Sequence, residues 1–227
     1  MDLRILFLLF MIYSFIGWVI EVIDVAIINR KVMDRGFLIG PYLPIFGVGA
    51  ILITLILSKY SNDIFVLFIM SCFLGATLEY VTSYIMEKIF NTRWWDYSNH
   101  KFNLNGRVCF KTTIAFGILG IILIKVLNPF FTSIVSMLSS VIMNILVIVL
   151  ALIFIVDVIV SFSIISKIKI VGAGITKDTT EEVTAKVKEV LRNRSKLSKR
   201  LVSAFPDFKF NFKKINELAQ NIRNKNV

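Results

Sequence analysis

Four carboxylates lie inside otherwise apolar runs of this 227-residue chain: Glu21, Asp24, Glu79 and Asp157. An ionised side chain at the centre of a bilayer costs about 2.5–3.5 kcal/mol on insertion scales, so such groups turn toward protein or toward a water-filled cavity. Glu21 stands nine residues before Arg30, Glu79 nine before Lys88, and Asp157 ten before Lys167. A helix rises about 1.5 Å per residue, which places each roughly 13–15 Å inside the basic end of its own helix. The three are therefore expected to converge on one layer. Glu79, Ser83 and Glu87 repeat at helical spacing and make one face polar down to that end, with Tyr80 and Tyr84 beside it. Arg107 and Lys111, four residues apart, are the candidate counter-charges.

Three kinds of chemistry suit such a layer. The carboxylates can pair with cations and lock helices together; they can line a cavity or an ion or proton path; or Glu79 or Asp157 can act as a general acid or base. No Ser-His-Asp set and no phosphate-cradling glycine loop accompanies them, so a non-enzymatic role is expected, with an intramembrane enzyme left open. Cys72, Cys109 and the lone His100 make no metal-ligand set, and neither metal nor cofactor is expected.

Two further segments could border the layer. Between Arg35 and Ala50 the sequence RGFLIGPYLPIFGVGA packs Gly40, Pro41, Pro44 and Gly47 into a stretch otherwise apolar enough to span. Proline removes an amide donor and clashes one turn back, so this reads as a broken helix. It either lines a cavity or packs closely through its glycines. The connection from Asn91 to Arg107 holds Trp95, Asp96, Tyr97 and Asn105. It is either an aromatic anchor at headgroup level or a plug folded back under the carboxylates.

The elements that position these residues follow from composition. The chain is 56% hydrophobic, with a mean hydropathy of +0.77. That exceeds the roughly 45–50% of soluble domains and argues against a soluble enzyme, a disulfide scaffold or a disordered chain. The pattern predicts an all-α, polytopic membrane helix bundle of five transmembrane helices. They fall at about residues 3–28, 37–58, 64–90, 108–127 and 140–167. Asn128-Pro129 is expected to break the fourth, leaving Phe130–Leu138 as an interfacial segment, and a sixth span there is the rival count. Residues 1–170 form the membrane domain and residues 171–227 a basic helical tail.

Net charge is +11, and the stretch from Lys167 to Val227, with 15 basic and 6 acidic residues, carries +9 of it. Arg30, Lys31, Arg35, Lys88, Arg93, Lys101 and Arg107 fall in the first and third connections. Basic loops mark the cytoplasmic side, so five spans predict an outside amino terminus and a cytoplasmic carboxyl terminus. In the tail, Thr179 and Glu182 fit a capping box, and Val183, Val187, Val190, Leu191, Leu197 and Leu201 recur at mostly helical spacing. A second short helix is expected around Lys213–Arg223. Such a tail suits anionic lipid headgroups or a partner helix, and it lacks the aromatic platform of a nucleic-acid binder.

Several of these segments together resemble a known family. GWVIE (Gly17–Glu21), RGFLIGPYLPIFGVGA, LEYVTSYIMEKIF (Leu78–Phe90), WWDYS (Trp94–Ser98) and NLNGRVCF (Asn103–Phe110) are similar, in that order, to bacterial ABC-transporter permeases of the CmpB-like, type IV family. KRLVSAFPDF (Lys199–Phe208) resembles the tail that follows the membrane region there. The resemblance implies a permease-type membrane subunit that works with a separate ATPase, since this chain has no nucleotide-binding motif. The Glu-Ala-Ala…Gly coupling loop of importer permeases is absent. A transport subunit with an intramembrane carboxylate site is the leading expectation, in a homo- or hetero-oligomer. The alternative is a regulator or scaffold acting through the basic tail.

Overall fold

The computed structural model describes residues 2–30, 32–90 and 92–173, together with residues 185, 188, 189, 199, 200, 203, 204, 209 and 210. The Thr179 capping box, the stripe from Val183 to Leu201 and the helix expected at Lys213–Arg223 lie outside the described residues.

Helix α1 (Leu3–Asn29) starts where Asp2 accepts the Arg4 amide, and it ends at Arg30 in the left-handed conformation. Arg4 also donates to Asn144 Oδ1 at 2.9 Å, which ties this end of α1 to the start of the last helix. Helices α3 (Ile64–Phe90), α4 with α5 (Phe110–Ile122 and Asn128–Ser136), and α6 (Ser140–Ala173) complete the set of long apolar helices. With α1, these give four helices long and apolar enough to cross a membrane, while Pro44–Tyr60 is a shorter apolar helix. The protein is a multi-pass, all-α membrane bundle.

The second span differs from its expected form. Residues 36–41 are bends, and α2 runs only over Pro44–Leu57 before a 3-10 turn at Ser58–Tyr60. Gly36 has φ +115°, a conformation that favours glycine. A residue preceding proline is steered away from helical geometry, which keeps Gly40 and Leu43 extended or turned. Pro44 therefore occupies the first turn of α2, where a missing amide costs nothing, rather than breaking a helix from within.

The fourth span is also longer than expected. The helix does not break at Asn128-Pro129: a π-helical segment, Leu123–Leu127, leads without interruption into α5. The widened turn absorbs the amide that Pro129 lacks. The segment expected to lie apart along the interface instead continues this rod to Ser136, giving 27 residues in all.

Leu9, Tyr13, Ala50, Ile53, Leu57, Leu67, Leu123 and Ile124 form the main core, where α1, α2, α3 and the π segment meet. Inside it Tyr13 donates to Asn128 Oδ1 at 2.5 Å and Asn128 donates to Thr54 Oγ1 at 2.8 Å. Small residues let the backbones approach. A Cβ on Gly47 would stand 2.2 Å from Ser14 Oγ, and one on Gly120 would stand 2.0 Å from Ser71 Oγ. Helix α6 has the most apolar window of the four and leaves most of it outward, as a lipid-facing helix does.

Candidate functional site

A cavity of about 550 Å³ lies between α1, α2, α3, α4 and α6. Leu43, Phe46, Leu78, Phe116 and Phe154 are among its apolar walls, while Glu21, Arg35, Glu79, Thr82, Trp95 and Tyr97 supply its polar groups. Its size falls within the roughly 300–1,000 Å³ of ligand pockets.

Glu79 is 6% exposed. Its Oε1 accepts from the Tyr97 hydroxyl at 3.1 Å, and its Oε2 lies 3.1 Å from Thr112 Oγ1. The Thr112 hydroxyl also stands 3.0 Å from the Cys109 carbonyl. One hydroxyl carries one proton, so Thr112 donates to Glu79 or to Cys109, never to both. Burial beside the Glu79 carboxylate pushes the Tyr97 phenol above its ordinary range, so Tyr97 serves as a donor.

The connection between α3 and α4 delivers Tyr97 by folding back. Asn103–Leu104 (β2) and Val108–Cys109 (β3) pair antiparallel around a turn at Asn105-Gly106, both with positive φ. This dipeptide is a strong hairpin signal. Arg107 then donates its amide to the Leu104 carbonyl at 3.0 Å, and Tyr97 donates its amide to the Gly106 carbonyl at 2.8 Å. Trp95 Nε1 donates to the Arg107 carbonyl at 3.0 Å, and Asn105 donates to the Tyr80 hydroxyl at 3.0 Å.

Arg107 is buried, but its carboxylate partner is Glu87, at 2.8 Å, rather than Glu79. It also donates to Ser83 Oγ at 3.1 Å and lies 5.7 and 5.5 Å from the ring centres of Tyr80 and Tyr84. Arg93 meets Glu87 at 3.3 Å and Asp96 at 3.6 Å. The polar face of α3 thus divides: Glu79 joins the cavity, whereas Ser83 and Glu87 join an arginine cluster. Lys111 is exposed.

Asp157 occupies a different place from the other carboxylates. It is not among the residues lining the cavity. It accepts from the amides of Ile39 and Gly40 at 2.9 and 2.7 Å, from Tyr42 Oη at 2.5 Å and from Ser161 Oγ at 2.8 Å. Leu43 donates its amide to the Ser14 carbonyl at 2.9 Å. Non-helical backbone at membrane depth needs partners from protein, and these satisfy it. Gly40, Pro41 and Gly47 accordingly shape the entry to α2 outside the cavity lining, while Pro44 reaches it. Asp24 is exposed and lies outside the cavity.

Glu21 pairs with Arg35 at 3.5 Å on the cavity wall. Arg35 also donates to the carbonyl of Ala204, in the tail. Arg200 meets Asp34 Oδ2 at 2.5 Å and the Leu38 carbonyl at 2.6 Å, and Lys209–Phe210 (β4) pairs with Thr92–Arg93 (β1). The tail thus docks under the bent segment that Asp157 holds.

Of the sequence candidates, the cavity gathers Glu21, Glu79, Trp95, Tyr97 and Pro44. The residues not anticipated are Arg35 as the partner of Glu21, Thr112 beside Glu79, and Tyr42 and Ser161 on Asp157. Threonine near a helix start was the available signal for Thr112, and Ser161 lies one helical turn from Asp157, whereas its partners Ile39, Gly40 and Tyr42 are more than a hundred residues away in the chain.

A family model described as "Putative ABC-transporter type IV" matches residues 8–162. No curated protein matches the chain. No solved structure matches it.

Proposed function

The chain belongs to the family described as "Putative ABC-transporter type IV", and from that premise we propose that it is a permease-type subunit whose substrate path runs through the cavity of Glu21 and Glu79. The observation that carries this reading is the environment of Glu79. It is a buried carboxylate on the wall of a ligand-sized, mostly apolar cavity, and hydroxyls are its hydrogen-bond partners. Structural ion pairing falls instead to Glu87, which Arg93 and Arg107 both reach. A carboxylate whose role was only to lock helices would gain most from such an arginine.

The energy source in this reading is a separate ATPase, because the chain carries no nucleotide-binding motif. Arg30, Arg35, Lys88, Arg93 and Arg107 gather with the docked tail at one end of the bundle, and the positive-inside rule makes that end cytoplasmic. The basic tail then faces anionic headgroups. A bundle this small builds a conduit as a homo- or hetero-oligomer.

Affinity capture from the native host in gentle detergent, read by quantitative mass spectrometry, tests the reading. A stoichiometric ATPase subunit is expected; its reproducible absence from intact, folded protein would overturn the permease assignment. A second reading, regulation through the tail, is favoured by the chain of contacts from Ala204 through Arg35 to Glu21. It predicts that deleting residues after 174 abolishes activity while Glu79→Gln remains competent.

A further inference from the structure

We infer that the cavity selects an amphiphilic monocation: an apolar body carrying a single amine or quaternary ammonium group, with Glu79 as its counter-ion. This deepens the transport reading and rests on it. The cavity wall carries two carboxylates, Glu21 and Glu79, and one cation, Arg35. Arg35 answers Glu21. Among the described residues no Lys, Arg or His nitrogen comes within 4.0 Å of the Glu79 oxygens. In the neighbouring cluster Arg93 and Arg107 face Glu87 and Asp96. Among the described lining residues, the carboxylate left without a cation is Glu79, and hydroxyls hold it.

The rest of the lining narrows the class. Trp95 and Tyr97 line the same cavity as Glu79, and aromatic rings in a cavity with a carboxylate suit an ammonium group, which gains from ring quadrupole and charge together. The remaining wall is chiefly Ile, Leu, Phe and Gly, which suits a hydrocarbon body and gives nothing to a hydrated ion. A bare metal cation finds no ligand set, since no group of three or more His, Cys, Asp or Glu is gathered among the described residues. An anion would meet Glu79 in a low-dielectric site and be repelled.

The test is equilibrium binding to the full chain in phosphatidylcholine nanodiscs, with empty discs as the control. Two tritiated dodecyl probes are compared that differ only in ending in a trimethylammonium or a tert-butyl group. The cationic probe is expected to bind about tenfold more tightly, the scale of one charge-assisted contact. Glu79→Gln should bring the two probes together without losing the neutral one, and Glu79→Asp should keep the preference. Equal binding of both probes by the wild type would overturn the charge class and leave the cavity as a binding site. Binding of neither above empty discs would overturn the cavity reading itself. The wild-type comparison decides even where a variant fails to fold.

Discussion

The Tyr97 hydroxyl donates to Glu79 Oε1 at 3.1 Å, joining a loop outside the spans to a carboxylate buried in the middle of α3. This contact brings the connection between α3 and α4 onto the lining of the cavity.

Tyr97→Phe removes that donor while keeping the ring, and should cost about 1.5–3 kcal/mol, the range for a hydrogen bond to a charged group. Glu79→Gln is nearly isosteric and should leave abundance and thermal midpoint close to wild type, since it also removes a buried charge. A double-mutant cycle on detergent-solubilised protein reads the coupling between them. Additive effects would mean that the contact contributes nothing.

Asp157→Ala should destabilise the protein severely. It strands the amides of Ile39 and Gly40 and the Tyr42 hydroxyl, each costing about 1–3 kcal/mol when buried without a partner. Asp157→Asn keeps one acceptor oxygen and should fall between. Abundance in membranes and thermal unfolding check both, and an Ala variant as stable as wild type would remove Asp157 from its anchoring role.

The order of these elements was largely legible in the sequence, and their ends were not. Apolar runs located α1, α3 and α6 because length and hydropathy are local properties. Asn128-Pro129 read as a breaker, yet a π segment carries the helix through it, and Asn128 bonds Tyr13 and Thr54 inside the core. Spacing from the basic end put Asp157 level with Glu21 and Glu79, but depth says nothing about which way a side chain faces. The amides left bare by a Gly-Pro segment decided that, and no local pattern links Ile39 to Asp157. The polar face of Glu79, Ser83 and Glu87 was visible as a period, whereas its division between cavity and arginine cluster depends on where the hairpin returns Arg107.

Gly120 packs against Ser71 where α3 meets α4. Gly120→Ala places a methyl 2.0 Å from Ser71 Oγ and 2.3 Å from its Cβ, and should destabilise by about 1–3 kcal/mol as an overpacked site. Adding Ser71→Gly leaves Ser71 Cα, at 3.7 Å, as the nearest of these atoms, so the double variant should recover most of the loss. Thermal unfolding of the four proteins reads this directly, and no recovery would mean that the clash is not the cause.

Arg200→Ala should loosen the tail, because Arg200 holds both Asp34 and the Leu38 carbonyl. The pair is partly exposed and worth up to about 1 kcal/mol, so a cysteine at the buried position Ala204 should alkylate about fivefold faster in that background. The reagent is a maleimide and the carrier a Cys72→Ser, Cys109→Ser protein. Raising salt should act in the same direction. An unchanged rate would show that this ion pair does not hold the tail.

The central claim is that the Glu21–Glu79 cavity lies on the substrate path of an ATP-driven complex. Thr82→Cys puts a reactive group on the cavity wall, and Tyr60→Cys puts one on the exposed turn after α2. The measurement is ATP hydrolysis by the native complex captured through the tagged chain, before and after each cysteine takes a bulky maleimide. Filling the cavity should change turnover by about fivefold or more, the lower range of inter-site coupling, while the label at position 60 should leave it unchanged. Turnover indifferent to a filled cavity would contradict the account.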